Sequence, residues 1–183
     1  MAKRNSKQKI EKPRGLGVIT GGGDCPGLNA AIRAVVKRAD LEGVPVYGVY
    51  EGFYGLYQGK IEPLHPIQVA GIISRGGTIL GTSRFNPLKK TDAAKTIKAQ
   101  LRSHRIDGLI NIGGEGTMRL SHELNKLGIP AIGVPKTIDN DVWGTDFTFG
   151  FDTAVNIATE AIDRLHTTAA SHHRVMVVEV MGR

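Results

Sequence analysis

The chain has 183 residues, 40% of them hydrophobic, which is enough for one domain of ordinary size with its own apolar core. It holds one cysteine, Cys25, which excludes an internal disulfide framework and a zinc cage made of cysteines. No apolar run approaches the roughly 20 residues of a membrane-spanning helix, and the basic start of the chain has no apolar stretch like that of a signal peptide. We therefore expect a cytoplasmic protein with no membrane partner.

The net charge of +7 is concentrated at the start of the chain. Residues 1–14 carry six basic side chains and Glu11, a local charge of +5, so the remainder of the chain carries only +2. We predict that residues 1–14 form a disordered, solvated tail; an arm that binds nucleic acid is the alternative. Because the remainder shows no basic patch interleaved with aromatic residues, we do not expect nucleic acid as a partner.

From residue 15 onward, short apolar runs alternate with segments that have the 3.6-residue period of a helix. The apolar runs predict strands at 15–20, 44–49, 107–112, 130–134 and 174–180. The helical period predicts helices at 28–41, 63–73, 91–104, 118–127 and 152–171, the last capped by Asp152. The segments 51–58 and 75–85 are rich in glycine and are predicted as loops, the first with a short helical turn. This alternation predicts a doubly wound α/β fold with a mainly parallel sheet.

Three loops follow predicted strands at their carboxyl ends, at 21–27, 113–117 and 136–141. In a doubly wound sheet, such loops meet along one edge and form the ligand site. The first loop has three consecutive glycines before a helix, so its backbone N–H groups can approach an anion closely. It matches neither the dinucleotide-binding fingerprint nor the Walker A motif. Taken alone, it is equally compatible with a structural turn and with a phosphate cradle.

The second loop repeats this pattern but contains Glu115, whose carboxylate would repel a phosphate group. A magnesium ion between Glu115 and the phosphate would remove the conflict. The alternative is that Glu115 only complements the dipole of the helix that it opens.

The third loop places a lysine, a threonine and two carboxylates within six residues. Asp139 could accept a proton from an attacking hydroxyl, and Asp141 could hold a metal or assist. Thr137 could bind a phosphoryl or sugar oxygen, and Lys136 brings positive charge to where phosphate charge would lie. A turn stabilised by Asx side chains is the alternative. Together, the three loops indicate phosphoryl transfer to an alcohol.

Four motifs, in this order, resemble the 6-phosphofructokinase family. They are GGDCPGLN at 22–29, GGEGT at 113–117, PKTIDND at 135–141 and MGR at 181–183. The resemblance implies a Rossmann-like three-layer domain and transfer of a phosphoryl group from ATP, or from pyrophosphate, to the 1-hydroxyl of fructose 6-phosphate in glycolysis. It also implies Mg²⁺, allosteric control and a homo-oligomer, either a dimer or a tetramer. Since members of the family are much longer, we expect residues 15–183 to be a truncated nucleotide- and phosphate-binding domain with the donor half of the site and little activity alone.

The resemblance also implies roles for individual residues. Asp139 would be the general base, with Thr137 and Asp141 beside the reacting groups. The nucleotide would contact Gly22, Arg84, Phe85, Gly114, Glu115, Gly116 and Thr117. Of these, Glu115 would stand in for the family's usual aspartate as the magnesium ligand. The sugar phosphate would contact Thr137, Asp139, Arg174, Met181, Gly182 and Arg183, with Arg174 serving the site of a neighbouring subunit.

Two positions bear on the choice of donor. Family members that use ATP have glycine at the positions of both Gly116 and Lys136, whereas those that use pyrophosphate have aspartate and lysine there. This chain has the mixed pair of Gly116 and Lys136. Because glycine leaves room for the nucleotide's α-phosphate, we expect ATP as the donor, with pyrophosphate as the alternative.

The remaining cysteine and histidines have structural interpretations. His172 and His173 are adjacent, so their side chains point apart, and we interpret them as helix-end residues rather than zinc ligands. Cys25 is interpreted as a small packed residue rather than a nucleophile, because the sequence identifies no histidine to activate it.

Overall fold

The computed structural model describes residues 11–181, which form six strands and five α-helices. The strands are β1 (Leu16–Thr20), β2 (Val46–Val49), β3 (Ile61–Pro63), β4 (Gly108–Gly113), β5 (Ala131–Thr137) and β6 (Phe149–Gly150). The helices are α1 (Leu28–Leu41), α2 (Gly52–Gln58), α3 (Ala93–Ser103), α4 (Glu115–Lys126) and α5 (Phe151–His172), with a 3₁₀ turn at Pro87–Lys89. None of these helices is long and apolar enough to cross a bilayer.

The sheet has the strand order β3-β2-β1-β4-β5-β6. All neighbouring pairs are parallel except β2 and β3, which are antiparallel at one edge. From β1 the chain builds outward to β2 and later returns to add β4 on the other side of β1. The order therefore reverses between β1 and β4, and this switch point is where an open α/β sheet forms a crevice for ligands. The mainly parallel, doubly wound fold predicted from the sequence is confirmed.

Helices cover both faces of the sheet, which gives three layers. Val18 of β1 packs in a buried cluster with α1, whereas its neighbour Ile19 packs in a second cluster with α2, α3 and α4. Both side chains are fully buried. Burial on both faces explains why β1 is a continuous apolar run rather than an alternating one.

Most predicted elements are present with small shifts of their ends. The helix at 28–41 has the predicted bounds, and α4 begins three residues before the predicted position. Strand β5 continues to Thr137, so Lys136 and Thr137 are strand residues rather than loop residues. Asp152 lies in the first turn of α5, and Gly150 takes the capping position without a side-chain hydrogen bond.

Two predicted elements are wrong. The helix expected at 63–73 is replaced by β3 and a series of turns, because Ile61 pairs with Val49, and Pro63 and Pro66 disfavour a helix interior. The strand expected at 174–180 is not assigned as a strand, and its residues are exposed. This segment follows α5, which has no buried residue within the described part of the chain, so it is not brought against the sheet.

The predicted terminal features fall partly outside the described residues. Residues 1–10 lie outside them, so the disordered tail stays a prediction there. Closer to the body, Arg14 forms an ion pair with Asp107 at 2.7 Å, and the backbone N–H of Arg14 donates to the same carboxylate. Gly182 and Arg183 of the MGR motif also lie outside the described residues.

Candidate functional site

The loops that leave β1, β4 and β5 meet at a cleft of about 500 Å³. Its volume is typical of sites for small-molecule ligands. The lining residues are Gly22, Gly23, Asp24, Phe53, Ser83, Arg84, Phe85, Asn86, Gly114, Gly116, Thr117, Leu120, Lys136, Thr137, Ile138, Asp139 and Met181. The cleft therefore lies at the switch point between β1 and β4, where the topology predicts a ligand site.

Two helices that follow glycine loops begin without a side-chain cap, and one of them, α4, begins at this cleft. Gly27, in a left-handed conformation with φ of 91°, precedes α1, and Gly114 precedes α4; neither position has a capping hydrogen bond from a side chain. The first N–H groups of a helix lack partners within the helix, and the helix dipole adds partial positive charge there. The start of α4, where Gly114, Gly116 and Thr117 line the cleft, therefore favours an anion.

Gly113 allows β4, α4 and the first glycine loop to touch. A Cβ atom at position 113 would lie 2.3 Å from Oγ1 of Thr117 and 2.7 Å from the backbone oxygen of Gly21. Thr117 is 6% exposed, so its side chain has little room to move away. The GGEGT motif thus contains one glycine required by packing, in contrast to Gly116, which has no atom within 4 Å of an added Cβ.

Lys136 places a buried positive charge at the cleft. The residue is only 3% exposed, and its ammonium group donates a hydrogen bond to the backbone oxygen of Gly23. Burial lowers the pKa of Lys136, while nearby Cys25 and Asp24 act in the opposite direction. A desolvated cation beside a carbonyl oxygen attracts an anion strongly, because water screens its charge poorly.

The loop that carries Asp139 is held by a network around Thr148. The backbone N–H of Asp139 donates to Oγ1 of Thr137 at 3.1 Å. Asn140, with φ of 52°, accepts from the backbone N–H of Thr148 at 2.9 Å, and the Thr148 hydroxyl donates to the backbone oxygen of Thr137 at 3.0 Å. These bonds close the loop and direct Asp139 to the cleft, among its lining residues.

The opposite wall of the cleft is attached through Asn29, which sequence reasoning missed. Asn29 is 2% exposed, and its amide donates to the backbone oxygens of Arg75 at 3.0 Å and Gly76 at 3.2 Å. Its Oδ1 accepts from the backbone N–H of Ile79 at 2.8 Å. Because all three bonds involve main-chain groups, Asn29 fixes the path of the segment that leads to Arg84.

Three threonines complete this attachment. Oγ1 of Thr20 lies 2.7 Å from the backbone oxygen of Gly81 and 2.9 Å from Oγ1 of Thr78. The Thr82 hydroxyl donates to the backbone oxygen of Gly22 at 2.7 Å. The 75–85 segment and the first glycine loop therefore form one hydrogen-bonded unit.

Replacing Asn29 by alanine is expected to lower the free energy of unfolding by about 2 to 3 kcal/mol, because three backbone groups lose a buried partner. The change should also increase proteolytic cleavage within 75–85. Urea unfolding and limited proteolysis measure the two effects. Asn86→Ala is the control, since Asn86 makes one exposed capping bond to the N–H of Leu88; its cost should be about 1 kcal/mol. Equal costs for the two variants would contradict the assignment.

The structure places most of the predicted site residues in the cleft. Those that line it are Gly22, Arg84, Phe85, Gly114, Gly116, Thr117, Lys136, Thr137, Asp139 and Met181. Asp141 is exposed and is not a lining residue. Arg174 is exposed just after α5, and it lies outside the cleft lining. Its backbone N–H donates to the backbone oxygen of Ala169.

Glu115 does not point its carboxylate at the cleft. Its Oε1 accepts from Arg119 at 2.6 Å along the outer face of α4, and Glu115 is not a lining residue. The reason is helix geometry, since residues four apart lie one above the other. Asp24 lines the cleft instead. Its position directly after three glycines is the sequence feature that could have identified it as a cleft carboxylate.

Aromatic residues support the cleft from one side. The ring of Phe85 packs against Tyr54 and Tyr57 at centroid distances of 5.6 and 5.7 Å, which ties α2 to the 75–85 segment. Phe53, which is 3% exposed, lines the cleft and was missed in the sequence because no local pattern distinguishes it from its aromatic neighbours.

Cys25, and separately the neighbouring pair His172 and His173, have the structural surroundings expected for them. The Cys25 thiol is buried and donates to the backbone oxygen of Phe149 at 3.7 Å; burial raises its pKa, although Lys136 opposes the shift. His172 is the last residue of α5, and His173 is the left-handed residue that follows it.

The family model for phosphofructokinase matches residues 15–183. The chain belongs to the phosphofructokinase family. It is 58% identical over 170 residues to a pyrophosphate–fructose 6-phosphate 1-phosphotransferase of Streptomyces coelicolor, covering 92% of this chain and 50% of the relative. It is 51% identical over 168 residues to an ATP-dependent 6-phosphofructokinase of Tolumonas auensis, covering 92% of this chain and 52% of the relative.

A solved phosphofructokinase has the same fold. The structure from Saccharomyces cerevisiae superimposes with a TM-score of 0.84 at 35% sequence identity, over 93% of this chain and 26% of that one. The chain spans about half the length of the curated phosphofructokinases that it matches. Relatives with either donor are similar to this chain, so similarity alone leaves the donor open.

The carboxylates that line the cleft determine whether the site could hold a magnesium ion. Within residues 11–181, no group of three or more His, Cys, Asp or Glu side chains could hold a metal by itself. Asp24 and Asp139 both line the cleft. Mg²⁺ is commonly bound by one or two carboxylates together with substrate phosphates. The residues therefore fit a magnesium ion that arrives with a phosphate donor.

Proposed function

We propose that this chain forms the donor side of a 6-phosphofructokinase site, where the γ-phosphoryl group of ATP passes to the 1-hydroxyl of fructose 6-phosphate. One observation carries the proposal: the uncapped start of α4 and the buried ammonium of Lys136 line the same cleft as Asp139. This combination provides anion binding and a proton acceptor together, as phosphoryl transfer to an alcohol requires.

In this proposal, the chain's own groups bind and orient the donor. The N–H groups at the start of α4 hold phosphate oxygens, and Lys136 offsets the charge that accumulates on them. These groups are fixed before the donor binds, because Lys136 is anchored on Gly23 and Thr117 is packed on Gly113. Fixed donors need no reorganisation during the reaction, which is the source of their effect on rate.

Asp139 acts as the general base in this proposal. Its carboxylate accepts the proton of the sugar's 1-hydroxyl as the hydroxyl oxygen attacks the phosphorus. The Thr137 hydroxyl, which accepts the N–H of Asp139 at 3.1 Å, keeps the loop in place and lies beside the reacting groups. The assisting role of Asp141, which the family resemblance implies, stays a prediction.

Magnesium fits this site as a partner of the donor phosphates. When bound, Mg²⁺ would supply charge neutralisation at the phosphoryl oxygens. Asp24 is the cleft carboxylate that could hold it, since Asp139 is the proposed base. Glu115 stays a candidate only if it leaves its ion pair with Arg119.

ATP is the donor that we propose, with pyrophosphate as the alternative. An added Cβ at Gly116 would meet no atom within 4 Å, so the position leaves open space for a nucleotide. Lys136 is compatible with either donor, because a buried ammonium attracts the phosphates of both.

A donor-binding module without catalysis is the second candidate function. The position of Arg174 favours it, since this predicted sugar-phosphate contact is exposed and outside the cleft lining. The expected sugar-phosphate contacts are therefore incomplete in residues 11–181: Thr137, Asp139 and Met181 line the cleft, whereas Arg174 does not. For the same reason, we expect little or no kinase activity from the 183-residue chain alone.

Titration calorimetry of the 183-residue chain tests the proposal and its alternatives. We expect binding of Mg-ATP and no binding of fructose 6-phosphate at millimolar concentration, because Arg174, the arginine expected to hold the sugar phosphate, lies outside the cleft lining. AMP is the matched control, since it lacks the β- and γ-phosphates of ATP, which the start of α4 would hold. Binding of pyrophosphate but not ATP would contradict the choice of donor. A coupled assay with turnover typical of the family would contradict the donor-half assignment.

Further properties implied by the family stay predictions. They are a role in glycolysis, a cytoplasmic location, allosteric control and a homo-oligomer of two or four subunits. Nucleic acid and membranes are not expected as partners.

A further inference from the structure

A buried polar pair beneath α4 is not explained by any of the motifs. Asn111 is fully buried in β4 between Ile110 and Ile112, and Ser121 is 4% exposed on α4. The Asn111 amide donates to Oγ of Ser121 at 2.8 Å, and the Ser121 hydroxyl donates to the backbone oxygen of Thr117 at 2.8 Å. The pair therefore links the middle of β4 to the first turn of α4.

The chemistry of the groups fixes the direction of this link. A backbone oxygen can only accept, so Ser121 must donate to Thr117. Its oxygen is then the acceptor for Asn111, which must present its NH₂ group. This orientation leaves Oδ1 of Asn111 buried and without a hydrogen-bond partner among the described residues.

An unpartnered buried acceptor makes stability a poor explanation for the pair. Apolar side chains of similar shape in place of both hydrogen-bonding partners are often neutral or stabilising, because no polar group then remains desolvated. A valine at 111 would also suit a strand interior better than asparagine does. We therefore look for a benefit other than stability that would offset the desolvation of the Asn111 Oδ1 atom.

The position of Thr117 indicates that benefit. Thr117 lines the cleft, and its Oγ1 packs on Gly113, the last residue of β4, and on Gly21, the residue after β1. Its N–H and that of Met118 both donate to the backbone oxygen of Gly114 at 3.0 Å, which forms the first turn of α4. A bond to the Thr117 carbonyl thus sets the orientation of the turn whose free N–H groups face the cleft.

We infer that Asn111 and Ser121 are positioning residues that aim the first turn of α4 at the phosphate donor. They touch no ligand and act through Thr117. The inference rests on the proposed function, because its consequence, tighter binding of the donor, requires a donor site in the cleft. It adds two residues outside the glycine motifs to those that determine donor affinity.

The test uses the double variant Asn111→Val/Ser121→Ala in the 183-residue chain. We expect the melting temperature to be unchanged or raised. We expect the Kd for ATP or pyrophosphate, each with Mg²⁺, to be about tenfold higher, because the N–H groups are misaligned. Amide hydrogen exchange of Thr117 and Met118 should become about tenfold faster as the turn loosens. The single change Ser121→Ala should melt lower than the double variant, since it leaves the Asn111 amide without an acceptor.

Asn125→Ala is the matched control on the same helix. Asn125 clamps the far end of α4 by accepting from the N–H of Ala131 at 3.0 Å and donating to its oxygen at 2.6 Å. This variant should melt at a lower temperature while its donor Kd and the exchange of Thr117 stay unchanged.

Two results separate the inference from the proposed function. If the unmodified chain binds neither ATP nor pyrophosphate, the proposed function fails, and the exchange of Thr117 and Met118 alone decides the positioning role. If the double variant keeps both the donor Kd and the exchange rates of the unmodified chain, the positioning role is overturned.

Discussion

Replacing Gly113 by alanine is expected to lower the free energy of unfolding by about 3 kcal/mol, the upper range for overpacking a close-packed site. The added Cβ would lie 2.3 Å from Oγ1 and 2.6 Å from Cβ of Thr117 and 2.7 Å from the backbone oxygen of Gly21. Two of these atoms cannot move without shifting a helix or a strand. Urea unfolding followed by circular dichroism measures the loss.

Gly116→Ala is the matched control for this prediction, since it makes the same change three residues later. No atom lies within 4 Å of an added Cβ at position 116, and the residue is in the first turn of α4. Alanine has the higher helix propensity, so the variant should be unchanged or more stable by up to about 1 kcal/mol. Equal destabilisation by the two changes would show that the close approach at Gly113 does not limit packing.

Lys136→Met is expected to weaken donor binding by about 10- to 100-fold, the equivalent of one hydrogen bond to a charged group. Methionine replaces the apolar stem of the lysine but lacks the ammonium group of this cleft residue. Calorimetry with ATP and with pyrophosphate measures the loss for each donor. A larger loss for pyrophosphate would indicate that Lys136 contributes more to that donor than to ATP.

Lys126→Met is the control for a change in net charge. Lys126 forms an exposed ion pair with Glu123 at 2.9 Å at the far end of α4. Its removal should change donor affinity by less than about twofold, because solvent and salt screen exposed charges. If both lysine variants weaken binding equally, long-range charge rather than contact with Lys136 explains the effect.

The buried ammonium also predicts a dependence of stability on pH. Burial lowers the pKa of Lys136 in the folded state below its ordinary value of 10.5. Between the lowered pKa and 10.5, the unfolded chain binds more protons than the folded chain, so the free energy of unfolding rises with pH. Below that window both states are protonated, and this contribution is constant.

Comparison with Lys136→Met in a Cys25→Ala background isolates this contribution. The background is needed because burial raises the pKa of the Cys25 thiol above 9.0, which gives the opposite slope at alkaline pH. In that background, the lysine chain should gain stability relative to the methionine variant as the pH rises through the window. A relative loss of stability would contradict the lowered pKa.

The GGEGT motif illustrates how far sequence reasoning reaches. Its glycines, its position after β4 and its place at the start of α4 follow from local pattern, because strand ends and helix starts depend on neighbouring residues. The direction of the Glu115 side chain does not, since the carboxylate pairs with Arg119 instead of facing the cleft. A motif specifies residue types at a place in the chain, whereas side-chain direction depends on competing partners.

The two wrong elements have a similar cause. The segment after β3 has apolar residues at helical spacing, but pairing of Ile61 with Val49 and the prolines that follow determine its path. The apolar run at 174–180 has strong strand propensity, yet it is not placed beside another strand in the described structure. Strand propensity is realised only when a neighbouring strand takes up the backbone hydrogen bonds.

The sequence by itself determined the doubly wound α/β class, the three loops at the carboxyl ends of strands and the family, because these depend on periodicity and on motifs of a few residues. Only the tertiary structure decided which side chains make the site. Lys136 reaches Gly23 across 113 residues of sequence, and Asn29 reaches Arg75 across 46. The Asn111–Ser121 link depends on the packing of α4 against β4. Such contacts have no local pattern, since the folded sheet alone brings their partners together.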